Sequence, residues 1–453
     1  MDLTSNDNKV LGFKDVTLMT IASNFGIRWL AVAAGLGASA IFFWIAGALM
    51  FFIPLTFIAV YLSKRYPEEG GAYTWTTIAF GEKSGFMVAW LYWVNNLFYY
   101  PTLMIFFAAN FAYFIGMPDK IHDQIWVTTL ILIVFWAIIL INLYGLRASK
   151  MIGDIGGLLG AIVPAIVVII LGFAAYFIYG GSATEFTSNN IIPHDSIFGN
   201  LSTLTIIMFA MSGIEIIPTF ANSVKGGGKT LYKSLIFSAF LLIGFYILGT
   251  IAINIVLAPD NISETAGLVD AFNLLGQKLG ISWLAHLMAF LLTFAELAGI
   301  TIWLVAPITM FFKCTPRGIL PEWLHKTNKY NAPANGLIFM GVIVSIIILF
   351  TNLLPTVDTM YHALILMATV LYFIPYIYVA LAYYKLAETR FKYLVSILVL
   401  ISLCLGIIFS FQPPADLKTT TEIIIYELEL ALGPIAFILI GWALYKFRRV
   451  SND

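Results

Sequence analysis

The sequence predicts an all-α integral membrane protein of twelve transmembrane helices, ten of them forming a 5+5 inverted repeat, and three observations carry that prediction. The 453-residue chain is 60% hydrophobic and 11% charged, and its apolar runs are too many for a water-soluble core to absorb. Two of those runs are broken, one by Ser23-Asn24-Phe25-Gly26-Ile27-Arg28 and the other by Met211-Ser212-Gly213-Ile214-Glu215. A continuous helix satisfies its own backbone in lipid, so a chain that interrupts two spans with glycine and a charge puts the freed N–H and C=O groups to use. The second break comes five spans after the first, and an odd number of crossings turns the second set of five over relative to the first. Paired breaks of this kind mark a transporter of a small polar solute.

In chain order, the first five spans centre near Ala22, Phe51, Tyr100, Phe135 and Val163 and make the first repeat, about residues 14–180. The next five, near Ile207, Phe245, Leu297, Val342 and Leu371, make the second, 197–386, and two more near Leu403 and Phe437 (391–448) stand outside the symmetry. The whole of 1–453 reads as one transmembrane domain. The opening dozen residues are polar, and no cleavable leader is expected before span 1, which therefore directs insertion itself. Glycine and proline fix two charged turns, residues 67–73 after span 2 and 316–323 after span 8, too polar to lie in lipid. Between spans 7 and 8, Leu268, Phe272 and Leu275 recur at helical spacing and predict a short amphipathic surface helix.

Net charge is zero, from 24 basic and 24 acidic residues, so nothing attracts nucleic acid. Distribution says more. Twenty of the 24 basic residues fall in loops on the side of the termini, only Lys120, Lys278 and Lys418 fall opposite, and Arg28 stays inside a span. The positive-inside rule then makes both termini of this multi-pass cell-membrane protein cytoplasmic. Cys314 and Cys404 are far apart and face no oxidising space, so free thiols are expected.

Ionisable and polar residues inside spans are the candidates for chemistry, because each is costly there unless paired, hydrated or neutralised. Glu215 lies three residues past Ser212-Gly213; it either serves the site or ties span 6 to a neighbouring backbone. Arg28 is the only basic residue within a span. Two roles stay open for Arg28 and Glu215: contact with a zwitterionic solute, or a buried ion pair holding the two broken helices together. Glu296 in span 8 and His286 ten residues earlier are side chains able to carry a proton, or to bond neighbouring helices. Asn95, Asn96, Tyr99 and Tyr100 put amide and phenol groups into span 3, where they line a watered cavity or bond to other helices.

Other patterns carry nothing. Gly226-Gly227-Gly228-Lys229-Thr230 resembles half a phosphate loop, but Ser223 stands where its first glycine belongs and a membrane helix, not a strand, precedes it. Five scattered histidines show no metal-ligand spacing and there is no Ser/His/Asp grouping, so neither a metal site, a cofactor nor an intramembrane enzyme is expected.

With those residues identified, the chain resembles the amino acid–polyamine–organocation (APC) transporters, and within them the glutamate/γ-aminobutyrate antiporters. Phe209-Ala210-Met211-Ser212-Gly213-Ile214-Glu215 followed by Val224-Lys225 is similar to that family's helix 6 series, with Gly226-Gly227 in place of its Asn-Pro. Pro67-Glu68-Glu69-Gly70-Gly71-Ala72-Tyr73 is similar to its Pro-x-x-Gly-Gly-x-Tyr turn, and Gly318-Ile319-Leu320-Pro321 to the loop after its helix 8. Gly26-Ile27-Arg28-Trp29 departs from the usual Gly-Ser-Gly of helix 1, and together with Trp90-Leu91-Tyr92-Trp93 and Tyr100-Pro101-Thr102 it is what resembles the antiporter group.

The resemblance implies a leucine-transporter-like fold with helices 1 and 6 unwound around a midplane site, exchange of an amino acid for an amine product by alternating access, and gate aromatics at Phe209 and Trp303. Substrate-binding residues on this reading are Ser23, Asn24, Phe25, Gly26, Ile27, Arg28, Tyr100, Phe209, Ser212, Gly213, Glu215 and Trp303, with Glu215, Glu296 and His286 as coupling or gating candidates. Expected partners are an amino acid or amine substrate, the lipid bilayer and protons. Proton-coupled symport and a solute-sensing receptor are the alternatives.

Overall fold

The computed structural model of the chain describes residues 11–66, 71–144, 146–193, 201–214, 224–315, 318–330, 332–413, 417 and 419–447. Glu215, residues 67–70 and 316–317 of the two punctuated turns, and the repeat limits at 197 and 448 lie outside them. Apart from one isolated bridge, regular structure among the described residues is helical.

α1 (Phe13–Asn24) and α2 (Trp29–Ala34) share the first apolar run, and α3 (Ala40–Gly47) and α4 (Ile53–Arg65) share the second across a π turn. α5 (Ala72–Phe80) is a short connector helix. α6 (Glu82–Phe114), α7 (Gln124–Leu143) and α8 (Leu146–Tyr179) follow, then the short α9 (Ser188–Ile191) and α10 (Leu201–Ala210). The rest comprises α11 (Gly227–Val256), the amphipathic α12 (Gly267–Leu279), α13 (Trp283–Cys314), the short α14 (Glu322–His325), α15 (Ala334–Thr351), α16 (Val357–Leu386), α17 (Lys392–Ser410) and α18 (Thr420–Lys446).

Among the described residues ten helices are long and apolar enough to cross a membrane. The difference from the twelve spans expected has a physical reason: it falls on the two runs the sequence marks as broken. α1 and α2 have 12 and 6 residues and α10 has 10, each short of the roughly 20 that a bilayer needs.

Small residues bring the helices close, which is how packing is achieved where lipid offers no hydrophobic drive. A Cβ built on Gly160 of α8 would stand 1.9 Å from the Ala295 Cβ of α13, and one on Gly172 would stand 2.8 Å from the Ala252 Cβ of α11. The Asn95 amide donates to the Ala368 carbonyl at 2.7 Å and ties α6 to α16. Ahead of α1, Leu11 pairs with Val224, and the Lys225 N–H reaches the Leu11 carbonyl at 2.8 Å, so the start of the chain is fastened beside α11.

The amphipathic helix expected after span 7 is α12, and it is docked: Leu268, Phe272 and Leu275 are fully buried. Polar ties fix its approach. Asp358 at the start of α16 accepts from the Thr265 hydroxyl at 2.7 Å and the Ser263 hydroxyl at 3.0 Å, His362 Nδ1 lies 2.8 Å from Glu264 Oε1, and the Tyr113 hydroxyl bonds Asp270. Burial pushes the Asp270 carboxyl above the usual carboxylate range, with the Tyr113 hydrogen bond opposing it.

Candidate substrate site at the two helix breaks

α1 stops at Asn24 because the chain turns extended at Phe25, whose N–H makes the last helical bond, to Ile21 at 2.8 Å. The helical path resumes when Trp29 N–H reaches the Gly26 carbonyl and Leu30 N–H the Ile27 carbonyl, both at 3.1 Å. Glycine is required at 26 by close approach: a Cβ there would stand 2.5 Å from the Trp29 indole nitrogen. At the second break α10 ends at Ala210, Ser212 N–H closes a turn on the Phe209 carbonyl at 2.9 Å, and Gly213 takes φ +106°, a conformation that favours glycine. The Gly213 N–H then leaves the helix and donates to the Tyr376 hydroxyl at 2.9 Å.

The two breaks meet. A Cβ on Gly213 would lie 3.0 Å from Asn24 Oδ1, and one phenol fastens both segments. The Tyr246 oxygen accepts the Gly26 N–H at 3.2 Å and stands 3.0 Å from the Asn24 carbonyl and 3.1 Å from the Ala210 carbonyl, one of which takes its proton. Trp44 stacks on the Tyr246 ring at 4.3 Å and fixes its plane.

Between the breaks lies a cavity of about 200 Å³. The first break lines it from Asn24 to Trp29, and the second with Phe209, Ala210, Ser212 and Gly213. α6 contributes Tyr92, Asn95, Asn96, Tyr99 and Leu103; α13 contributes Ala295, Glu296, Gly299 and Ile300; Gly160 and Tyr372 complete it. Arg28 is the centre of its polar part: its Nη2 donates to the Tyr99 hydroxyl, its Nη1 lies 4.0 Å from Glu296 Oε1, and its guanidinium sits 4.3 Å from the Trp29 ring centre. Removing one partner from such a buried pair strands the other charge, at a cost of about 3–5 kcal/mol. The opposite wall is aromatic: Phe209 makes edge contacts with Trp29, Tyr99 and Tyr372 at 5.8, 5.6 and 5.6 Å. A fixed cation, a carboxylate and aromatic faces together suit a small solute with a carboxylate and a short apolar or amine-bearing chain.

Of the residues singled out from sequence, Asn24, Phe25, Gly26, Ile27, Arg28, Phe209, Ser212, Gly213 and Glu296 are brought together here. Tyr100 is not. One residue on from Tyr99, it is turned about 100° around the helix and packs against Phe135 at 6.1 Å, so the span 3 phenols at the cavity are Tyr92 and Tyr99. His286 stands exposed near the start of α13, about 15 Å along the helix from Glu296, and is not part of the cavity. The carboxylate beside Arg28 is Glu296; Glu215 and the side chains of Ser23 and Trp303 lie outside the described residues. Tyr92, Tyr246, Tyr372 and Tyr376 were not expected. Their signal is spacing: Tyr92 and Tyr99 are seven apart and Tyr372 and Tyr376 four apart, each pair on one helical face.

An all-helical membrane fold with a cavity where α1 and α10 end fits a membrane transporter. The family model for amino acid permeases matches residues 11–437, and the chain belongs to that family, within the APC superfamily and near its antiporter group. It is similar to an uncharacterized transporter of Legionella pneumophila subsp. pneumophila, 29% identical over 98% of each chain. It is also similar to the probable agmatine/putrescine antiporter AguD of Lactococcus lactis subsp. lactis, 28% identical over 92% of this chain and 90% of that one. The glutamate/γ-aminobutyrate antiporter of Lactococcus lactis subsp. cremoris is 24% identical, over 68% and 61%. Among solved structures, MhsT in complex with L-phenylalanine superposes with a TM-score of 0.57 at 15% identity, over 97% of this chain and 98% of that one, and shares the fold.

Proposed function

We propose that the chain is a secondary active transporter that exchanges amino acids, at least one of them bearing a carboxylate that Arg28 recognises, by alternating access about the cavity between the breaks. The observation that carries this reading is the placement of Arg28: a buried guanidinium that, together with the residues of both breaks, lines a cavity sized for a small solute. On this reading α1 with α2, and α10 with the segment after it, are two unwound spans, which brings the total to twelve in a 5+5 inverted repeat over 14–180 and 197–386. The amides of Phe25, Gly26, Ser212 and Gly213 already donate to Ile21, Tyr246, Phe209 and Tyr376, which leaves the substrate carboxylate to Arg28; break carbonyls hold an amine, and Phe209 and Trp303 close over the substrate with Glu215 as gate. The protein acts in the cell membrane, without a cofactor and without chemistry on the substrate.

Of the two antiporter types among the relatives, the glutamate/γ-aminobutyrate type fits better. Arg28 would repel a dication such as agmatine or putrescine, whereas a carboxylate gains a charge-assisted contact. The test is uptake of labelled glutamate into proteoliposomes preloaded with buffer, unlabelled glutamate or γ-aminobutyrate, with Arg28→Ala in parallel. Uptake is expected only with an internal substrate and is expected to disappear in the variant. Uptake indifferent to preloading and driven by an inward proton gradient would replace exchange by symport.

A further inference from the structure

Among the described residues lining the cavity, Arg28 and Glu296 are the charged pair and their charges, when both are ionised, cancel; they respond differently to a ligand. The two side chains are 4% and 15% exposed. Arg28 divides its contacts among the Tyr99 hydroxyl, the Trp29 and Tyr99 rings and Glu296, and its guanidinium keeps its proton in any protein environment. Glu296 has Arg28 as its one ion-pair partner among the described residues, at a separation too long for a hydrogen bond. Among the described residues, the other titratable groups facing it are Tyr99 beyond Arg28 and Tyr361 of α16, whose buried hydroxyl has no hydrogen-bond partner there. α8 crosses closest at Gly160, which presents no side chain.

Net charge buried at this depth is strongly disfavoured, so the loaded cavity is driven back to neutrality. Arg28 cannot adjust. We infer that Glu296 sets how many protons travel with each substrate: an acidic amino acid, carrying net charge −1, occupies Arg28 and leaves Glu296 to take one proton from the medium, whereas a zwitterion with its ammonium turned to Glu296 takes none. The proton joins a carboxylate oxygen of Glu296 from the side to which the cavity is open, and leaves with the substrate on the other side. Exchange of an acidic amino acid for a zwitterion then moves no net charge. The inference rests on the reading in which a substrate carboxylate engages Arg28.

The experiment is calorimetric titration of the purified full-length protein at pH 7 with L-glutamate and with γ-aminobutyrate, in two buffers of different ionisation heat, which yields protons taken up per ligand bound. About one is expected for glutamate and about zero for γ-aminobutyrate. Glu296→Gln is expected to abolish the difference, and Glu388→Gln, at an exposed position away from the cavity, to retain it. Equal uptake with both ligands in the unmodified protein, or a difference that survives Glu296→Gln, overturns the inference. Glutamate binding without proton uptake overturns it too while leaving the carboxylate reading intact; absence of binding by either ligand overturns both. The two-ligand comparison in the unmodified protein decides the matter even where a variant does not fold.

Discussion

The hydroxyl of Tyr99 orients the Arg28 guanidinium while the ring of Trp29 covers one face, and the proposed carboxylate contact depends on that orientation. Hydrogen bonds to charged groups contribute about 1.5–3 kcal/mol, and Tyr99→Phe keeps the ring while deleting that bond. Affinity for a carboxylate substrate is therefore expected to fall about 10- to 100-fold, because one unanchored guanidinium must be ordered at each binding event. Fluorescence titration of the variant with L-glutamate checks this, and an unchanged affinity would mean that Tyr99 does not position Arg28. Much of this chemistry is legible in the sequence, because a lone arginine and a glutamate within apolar runs are costly wherever they sit, and cost points to use. Which carboxylate meets the arginine is not legible: Glu215 is nearer to a break in sequence, whereas Glu296 arrives through the Gly160–Ala295 crossing of α8 and α13, a contact between residues 135 apart. The choice of Tyr99 over Tyr100 turns on one residue of helical phase, which the span centre alone does not set.

α12 shows how an amphipathic segment becomes part of the transport unit. Its apolar stripe was legible at helical spacing, but its docking depends on three side chains from two other elements: Tyr113 of α6, and Asp358 and His362 of α16. Asp270 carries the titratable consequence. Burial raises its carboxyl above the unfolded value, and Asp358 adds to the effect, while the Tyr113 hydrogen bond and His122 offset part of it. A raised carboxyl contributes stability that is full below the unfolded pKa of about 4 and is lost as pH rises through the folded value. Asp270→Asn keeps an acceptor for Tyr113 and carries no charge, so its melting temperature relative to the unmodified protein is expected to rise at pH 7, with the gain vanishing near pH 4. Thermal unfolding of both proteins at the two pH values checks the sign. A variant less stable at pH 7 would show that the ionised Tyr113–Asp270 bond outweighs the burial cost. The breaks belong to this level too. The helix ends at Asn24 and Ala210 were legible from Gly26 and Gly213, but the contact between them was not, because it depends on Tyr246 of α11, an unremarkable tyrosine in an apolar run.

The sidedness of the whole chain follows from counting crossings and charges together. Gln277 at the end of α12 and Glu388 after α16 are separated by the three membrane-length helices within α13, α15 and α16, so they stand on opposite faces. The face of Glu388 gathers basic groups: Arg65 lies 3.9 Å from the Glu388 carboxylate, and Lys385 donates to the Ala79 carbonyl at 2.7 Å. The Arg65 pair is exposed and adds little stability, yet it places the ends of α4 and α16 side by side on one surface. Lys120 and Lys278 belong to the other face, one crossing away from Arg65 and three from Glu388. On the twelve-span reading, twenty basic residues against three predict that this first face is the cytoplasmic one. A cysteine at Gln277, in a chain whose Cys314 and Cys404 are replaced by serine, is therefore expected to react with a membrane-impermeant maleimide in intact cells, and one at Glu388 only after permeabilisation. Both positions are exposed, so the reagent reads sidedness and not burial. Reversed labelling would invert the topology and, with it, the side from which Arg28 first meets an external substrate. Labelling of both positions from outside would require an even number of crossings between them, and the inverted arrangement of the two five-span units would fall with it.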